Sequence, residues 1–225
     1  MLVARTQQPA GADWREAPWR TGAVALVAIA LLLAWPGDVR HTVHLLLQGV
    51  CAQRPSHSLW LNGQPLPVDA RMTGIYLGAL AALGWFLLVW RGAWSGRFSR
   101  RTWAVLGLML AAMAVDGCNS LALDLGLAPL YPPATVWRLL TGLLAGVAIG
   151  AGLSHLVTIS LRRRPRGGWP PAPGAALLAP LLTGAGVLAL AASGLPLLAL
   201  PFTWLLLVSV VATLWSMTAV LTALG

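Results

Sequence analysis

Six apolar runs, separated by arginine clusters or Pro/Gly breaks, govern what this 225-residue chain can fold into. They cover 21–35, 72–90, 103–127, 135–161, 175–192 and 202–224. A bilayer core about 30 Å thick takes roughly 20 apolar residues per helix, and the first and fifth runs are short for it. In hydrocarbon every backbone donor and acceptor needs an internal partner, which helices or a closed barrel supply, and no ten-residue alternation suggests a barrel. The expectation is an all-α, polytopic six-helix transmembrane bundle. Composition agrees: 58% hydrophobic and 9% charged residues cannot clothe a water-exposed surface. It excludes a disordered regulator, and two cysteines are too few for a disulfide-stapled secreted module.

Orientation follows from arginine, which supplies all fifteen basic residues. Eleven lie on one side of the predicted spans, in 5–20, 91–101 and 162–166; the other side has Arg40, Arg54, Arg71 and Arg138. Short basic loops stay in the cytoplasm, so both termini are predicted there. Residues 1–20 read as a cytoplasmic lead into a retained anchor, because Ala34-Trp35-Pro36 offers no small-residue cleavage site. The polar-decorated part is expected over 21–161, with an outer loop at 36–71. An Arg/Pro/Gly-rich cytoplasmic linker follows at 162–174, then an apolar hairpin at 175–225 suited to packing or to docking a membrane-protein partner. Membrane lipids are the expected surroundings. Nothing resembles a nucleic-acid-binding module, so the high pI signals topology and no nucleic-acid partner is expected. Of the twelve tryptophans, Trp19, Trp35, Trp90, Trp94, Trp103 and Trp137 lie near span ends, as interfacial anchors do.

The unusual residues gather on the predicted outer side. In the outer loop, 42–50 is apolar but too short to span, a candidate interfacial or re-entrant helix carrying His41 and His44 on one face. Asn62-Gly63 is a turn signal. At 100° per residue Asp116, Asn119, Ser120 and Asp124 share an arc of about 140°, with Cys118 nearly opposite Asp116. A carboxylate at mid-membrane costs an apparent ~2.5–3.5 kcal/mol on the insertion scale, so Asp116 needs a partner or a hydrated cavity. Arg71 and Arg138 are the arginines at matching depth. Gly142, Gly146 and Gly150 follow Arg138 at every fourth residue, and Gly74 and Gly78 repeat the spacing after Arg71, which predicts close packing of the second, third and fourth spans. The site expected from this convergence is an outward cleft of Arg54, Arg71, Tyr76, Asp116, Asn119 and Arg138.

The motifs Cys51-Ala52-Gln53-Arg54, Ala70-Arg71-Met72-Thr73-Gly74-Ile75-Tyr76-Leu77-Gly78, Asp116-Gly117 and Arg138-Leu139-Leu140-Thr141-Gly142 resemble the prokaryotic membrane family DUF2085, domain of unknown function 2085, over about 45–152. The resemblance implies a helical membrane domain, and with it a prokaryotic cytoplasmic membrane. That family typically reads Cys-His-Gln at the first motif and carries Cys before the Ala-Arg pair, where this chain has Ala52 and Asp69. Any redox or metal role implied by that pattern therefore lacks a histidine ligand and a cysteine pair here.

Three functions fit these residues. Arg54, Arg71 and Arg138 could grip the phosphate or carboxylate of an anionic ligand, including a lipid headgroup, with Asp116 or His57 as candidates for moving a proton. Alternatively Asp116 is the carboxylate of a proton- or ion-coupled transporter, although the two halves show no inverted similarity. The third reading is an accessory or assembly subunit of a membrane complex. Cys51, His57 and Asp69, with His41 or His44, are admissible metal ligands at irregular spacing, so no metal or other cofactor is assigned. A Cys51–Cys118 disulfide is not expected, because Cys118 faces away from the polar arc.

Overall fold

A computed structural model of the protein describes residues 38–61, 63–90, 98–161 and 173–224. The first predicted span, both termini and most of the 162–174 linker lie outside the described residues. The helices are α1 (Val39–Leu47), α2 (Ala70–Leu83, continued by a π-helical turn at Gly84–Val89), α3 (Arg100–Asp124), α4 (Thr135–Leu161), α5 (Pro173–Ala192) and α6 (Ala199–Leu224). Strands β1 (Ser58–Leu61) and β2 (Gln64–Asp69) form an antiparallel hairpin with Leu61 opposite Gln64. Four stretches are long and apolar enough to cross a membrane: Ala70–Val89, Arg100–Asp124, Thr135–Ser160 and Pro196–Thr222. The described apolar part of α5, Ala176–Ala192, is shorter. The chain is thus an all-α membrane bundle with one small β-hairpin, an addition to the helical expectation. Its cause is local: Gly63 supplies the positive φ of a two-residue turn, +74°, which the right-handed twist of paired strands favours.

Helix limits have equally local causes. The side chain of Asp38 caps α1 by accepting from the Arg40 N–H at 2.9 Å. Ser99 caps α3 by accepting from Thr102 N–H at 3.1 Å, which starts that helix earlier than apolarity alone suggests. Its end also comes earlier than the predicted 127, because Gly126 turns left-handed at φ +74°.

The bundle is organised around α2 and α4, which run parallel with their backbones in contact. Gly142 lies on the Arg71 backbone, Gly146 on Ile75 and Gly150 on Ala79; in return Gly74 lies on Leu139 and Leu143, and Gly78 on Leu143 and Val147. A Cβ at Gly78 would sit 2.6 Å from the Leu143 carbonyl oxygen, so only glycine permits this approach. Side-chain packing in lipid lacks a strong hydrophobic drive, and close backbone contact supplies dispersion instead. Helix α3 flanks α4, while α5 and α6 pack on α2 and α4 through Leu177, Leu188, Leu206 and Val210. The hydroxyls of Thr203, Ser209, Thr213 and Ser216 in α6 donate to carbonyls of their own helix, which satisfies them without a polar partner elsewhere.

One end of the bundle gathers α1, the hairpin, the end of α3, the α3–α4 loop and the start of α6. Arg54 of the outer loop meets Asp124 of α3 there, and Ala199 and Thr203 lie beside Leu61 and Pro65. The opposite end brings Phe98 onto His155 with ring centroids 4.2 Å apart. Replacing Gly146 by Leu should separate the α2–α4 seam and destabilise the protein by about 2–3 kcal/mol, as overpacking does. Gly107→Ala, at a position with nothing near its absent Cβ, should leave thermal unfolding in detergent unchanged or slightly raised.

Candidate functional site

The glycine seam fixes the height of Arg71, which begins the second residue of α2 against the Gly142 turn of α4. From there its guanidinium reaches α3. Nη2 donates to the Asp116 carboxylate at Oδ2, to the Asp116 carbonyl at 3.2 Å and to Ser120 Oγ at 3.1 Å. Asp116 is 1% exposed, so this is a buried ion pair and the counter-charge that an intramembrane carboxylate requires. Of the two arginines expected as partners, Arg71 takes this role and Arg138 does not. The polar face predicted by helix geometry holds at its centre: Asp116, Asn119 and Ser120 are buried, and Cys118 is exposed on the other side of α3.

The same face ties down the α3–α4 loop. The hydroxyl of Tyr131 donates to Asp116 Oδ1 at 2.8 Å. Asn119 spends its amide on the backbone of that loop: Nδ2 donates to the Tyr131 carbonyl at 2.9 Å, and Oδ1 accepts from Leu130 N–H at 2.6 Å and Tyr131 N–H at 3.3 Å. Asn119 is therefore a loop anchor, with both ends of its amide occupied. Burial and the bond to Asp116 push the Tyr131 phenol above its ordinary pKa, so it stays the proton donor. Tyr131 was absent from the sequence-derived site. It lies beyond the end of α3, where helical periodicity no longer relates it to Asp116; its only signal is being one of two tyrosines in the chain.

Beside this pair a cavity of about 240 Å³ opens, lined by Arg54, His57, Asp69, Arg71, Ser120 and Asp124 among others. At its mouth Arg54 Nη1 donates to Asp124 Oδ2 at 2.9 Å, and His57 Nε2 stands 3.9 Å from Asp124 Oδ1. Water reaches both members of the Arg54–Asp124 pair, so the pair orients the mouth more than it stabilises the fold. Desolvation lowers the His57 pKa from its ordinary 6.5, and the Arg138 charge lowers it further, while Asp124 and Asp69 partly oppose them.

Arg138 occupies the first turn of α4 and is 6% exposed. Among the described residues its side chain makes no hydrogen bond or ion pair, and its Nε is buried without an acceptor. At the hairpin end of the bundle two further buried side-chain atoms share that state, Arg71 Nε and Asp69 Oδ1, although the Cys51 thiol lies against the Asp69 carboxylate.

The other predicted residues fall elsewhere. Tyr76 belongs to the hydrophobic core, a correction to its expected place at the site, and of the other residues expected there Asp116, Asn119 and Arg138 do not line the cavity either. Tyr76 is five residues past Arg71, which rotates it away from the face that carries the guanidinium. The Cys51 thiol is buried beneath the hairpin, where its sulfur accepts from the N–H of Asp69 at 3.2 Å and of Gln53 at 3.5 Å. Desolvation, the largest influence, raises its pKa. Gln53, at φ +52°, sends its amide to the carbonyls of His44 and Pro67, both at 2.7 Å, and so ties α1 to β2. The Cys51-Ala52-Gln53 motif is thus a staple that holds the hairpin over the core. Although Cys51 and Asp69 meet, no group of three His, Cys, Asp or Glu able to hold a metal ion is gathered among the described residues. His41 is exposed, and His44 lies beside the hairpin outside the cavity.

Residues 51–151 match the family model described as predicted membrane protein, DUF2085. The match takes in the hairpin, α2, α3 and most of α4, with every cavity-lining residue, and stops short of α5 and α6. No curated protein and no solved structure matches the chain.

Two measurements test this geometry. Asp116→Asn should destabilise the protein by about 3 kcal/mol because it leaves Arg71 half-buried without its counter-charge, and Tyr131→Phe by about 1 kcal/mol through one lost hydrogen bond. A histidine with a lowered folded pKa binds fewer protons than the unfolded chain. Its effect on stability is therefore favourable above the unfolded value, near 6.5, and is lost as pH falls through the folded value. Thermal unfolding followed from pH 7.5 to 5 should show a decline that His57→Gln flattens.

Proposed function

We propose that the cavity beside Arg71, within the residues that match the family model, is a binding site for an anionic group, the phosphate or carboxylate of a membrane-lipid headgroup. The observation that carries this reading is Arg138: it is 6% exposed with no ion pair among the described residues, and although it does not line the cavity its charge reaches His57 at the mouth. An anion in the cavity lies within the field of that charge, and the Arg54 and Arg71 side chains of the lining offer donors. Asp116 supports the site indirectly, because its bonds to Arg71 and Tyr131 hold one donor and one wall of the cavity in place.

The arginine distribution supports an extracytoplasmic mouth, with the hairpin end facing out of a prokaryotic cytoplasmic membrane. Near the cavity, Leu125, Leu127, Leu130 and Trp137 expose apolar surface on the α3 end, the α3–α4 loop and the α4 start. Such a rim suits the headgroup region, where the ligand would arrive from the bilayer. A second reading, an assembly subunit, draws on the exposed apolar face of α3 at Trp103, Leu108, Val115 and Leu121, which fits either lipid or a partner helix.

Native mass spectrometry of the detergent-purified protein separates these readings. Phospholipid should remain bound to the wild type, and Arg138→Ala should lower its affinity at least tenfold, about 1.4 kcal/mol or more, as loss of a charge-assisted contact does. In lipid-free detergent the same variant should unfold no earlier than the wild type, since it removes an unpaired buried charge. A variant that unfolds early with unchanged lipid retention makes Arg138 scaffolding and ends the proposal; a co-purifying membrane protein in place of lipid supports the assembly reading.

A further inference from the structure

His57 and Arg54 approach one carboxylate at its two oxygens. Arg54 Nη1 donates to Asp124 Oδ2 at 2.9 Å, while His57 Nε2 stands 3.9 Å from Asp124 Oδ1, too far for a hydrogen bond. All three side chains line the cavity, whose other charged walls are Arg71 and Asp69. Two arginines against two aspartates leave that lining neutral while His57 is uncharged, and Arg71 already shares its charge with Asp116. An entering anion therefore meets two carboxylates, and it finds the more exposed guanidinium, Arg54, held by Asp124. One added positive charge in the wall offsets the repulsion and competes for Asp124. Histidine is the side chain that ordinarily supplies such a charge between about pH 5 and 8, and His57 is the histidine of this lining.

Resting on the reading of the cavity as an anion site, we propose that anion capture there is coupled to the uptake of one proton by His57. The proton comes from water at the cavity mouth, and the imidazolium closes by about 1 Å so that its Nε2–H donates to Asp124 Oδ1. Asp124, now held by His57, releases Arg54, whose 57% exposed side chain turns to the anion beside Arg71. The surroundings of His57 suit such an exchange. In the free protein desolvation and the charges of Arg138 on α4 and Arg54 on its own segment outweigh Asp124 on α3 and Asp69 at the end of β2, and hold the imidazole pKa below 6.5. A bound anion puts a negative charge into the same cavity and raises it. By linkage, proton and anion strengthen each other's binding by one common factor. Affinity for the anion therefore rises as pH falls through the pKa of the bound state and levels off below that of the free state.

Isothermal titration calorimetry of the full-length protein in detergent tests the coupling with dihexanoylphosphatidylglycerol, a soluble lipid whose phosphodiester keeps one negative charge from pH 5.5 to 8. Affinity should be about tenfold higher at pH 5.5 than at pH 8. At pH 6.5, titrations in two buffers of different ionisation enthalpy should show protons taken up, at most one per lipid bound. His57→Gln should abolish both the pH dependence and the uptake. Asp124→Asn, which removes the group that holds Arg54, should bind at pH 8 about as tightly as the wild type does at pH 5.5. Glycerophosphoglycerol, the same headgroup without acyl chains, separates the sources: proton-coupled binding as tight as the lipid's supports the coupling for a soluble phosphodiester, and weaker binding supports it for a lipid headgroup. Lipid affinity equal at both pH values, with no proton taken up, overturns the coupling and leaves the anion site standing. Absence of lipid binding at either pH overturns the anion site as well. A pH dependence that survives in His57→Gln overturns His57 as the acceptor, and an unchanged affinity of Asp124→Asn at pH 8 overturns the exchange of partners. The wild-type proton count decides the coupling even if neither variant folds.

Discussion

Backbone-to-backbone contact between α2 and α4 is the constraint from which the rest of the structure follows. Five glycines on two helices let the chains approach until carbonyls of one helix touch the other, and rigid parallel helices in that state have no freedom to slide. The register brings the Arg71 turn level with Gly142 and sets Arg138 one turn nearer the hairpin. Any larger residue at these positions would move both arginines relative to Asp116. The apolar helices α5 and α6 buttress the seam and contribute no charged side chain among the described residues.

On that frame, Asp116 works as a junction. One carboxylate receives Arg71 from α2, Tyr131 from the α3–α4 loop and Thr141 from α4, so three separate pieces of chain are ordered by one buried charge. An ion pair this deep is costly to desolvate and costly to break, which makes it a better device for specifying geometry than for adding net stability. Its saturation also argues against Asp116 as a shuttling acid. Buried atoms without a partner lie elsewhere at this end of the bundle, in Arg138, Asp69 and the Nε of Arg71.

Much of this was legible in the sequence wherever a period or a length carries the information. Apolar lengths gave the helices of the described chain, Asn62-Gly63 marked the hairpin turn, glycine spacing foretold the α2–α4 contact, and helix phase separated Cys118 from Asp116. Interactions across long sequence separations were less accessible. Asp116 had two arginines at suitable depth, and nothing in the spacing of either said which one would reach it. Tyr131 follows the left-handed turn at Gly126, and Tyr76 is pointed into the core by a rotation that matters only once α2 is docked.

What the sequence by itself determined is the set of apolar helices, the asymmetry of arginine and the faces on which polar and small residues lie, because these depend on 1.5 Å rise and 100° rotation within single elements. Tertiary structure alone decided who pairs with whom: Arg71 with Asp116, Arg54 with Asp124, Asn119 with the loop, and Arg138 with nothing in the described chain. The reason is physical. Pairing depends on the docking register of separate helices, which is set by close contact at glycine, and a shift of one helical turn would have offered the same carboxylate to a different guanidinium.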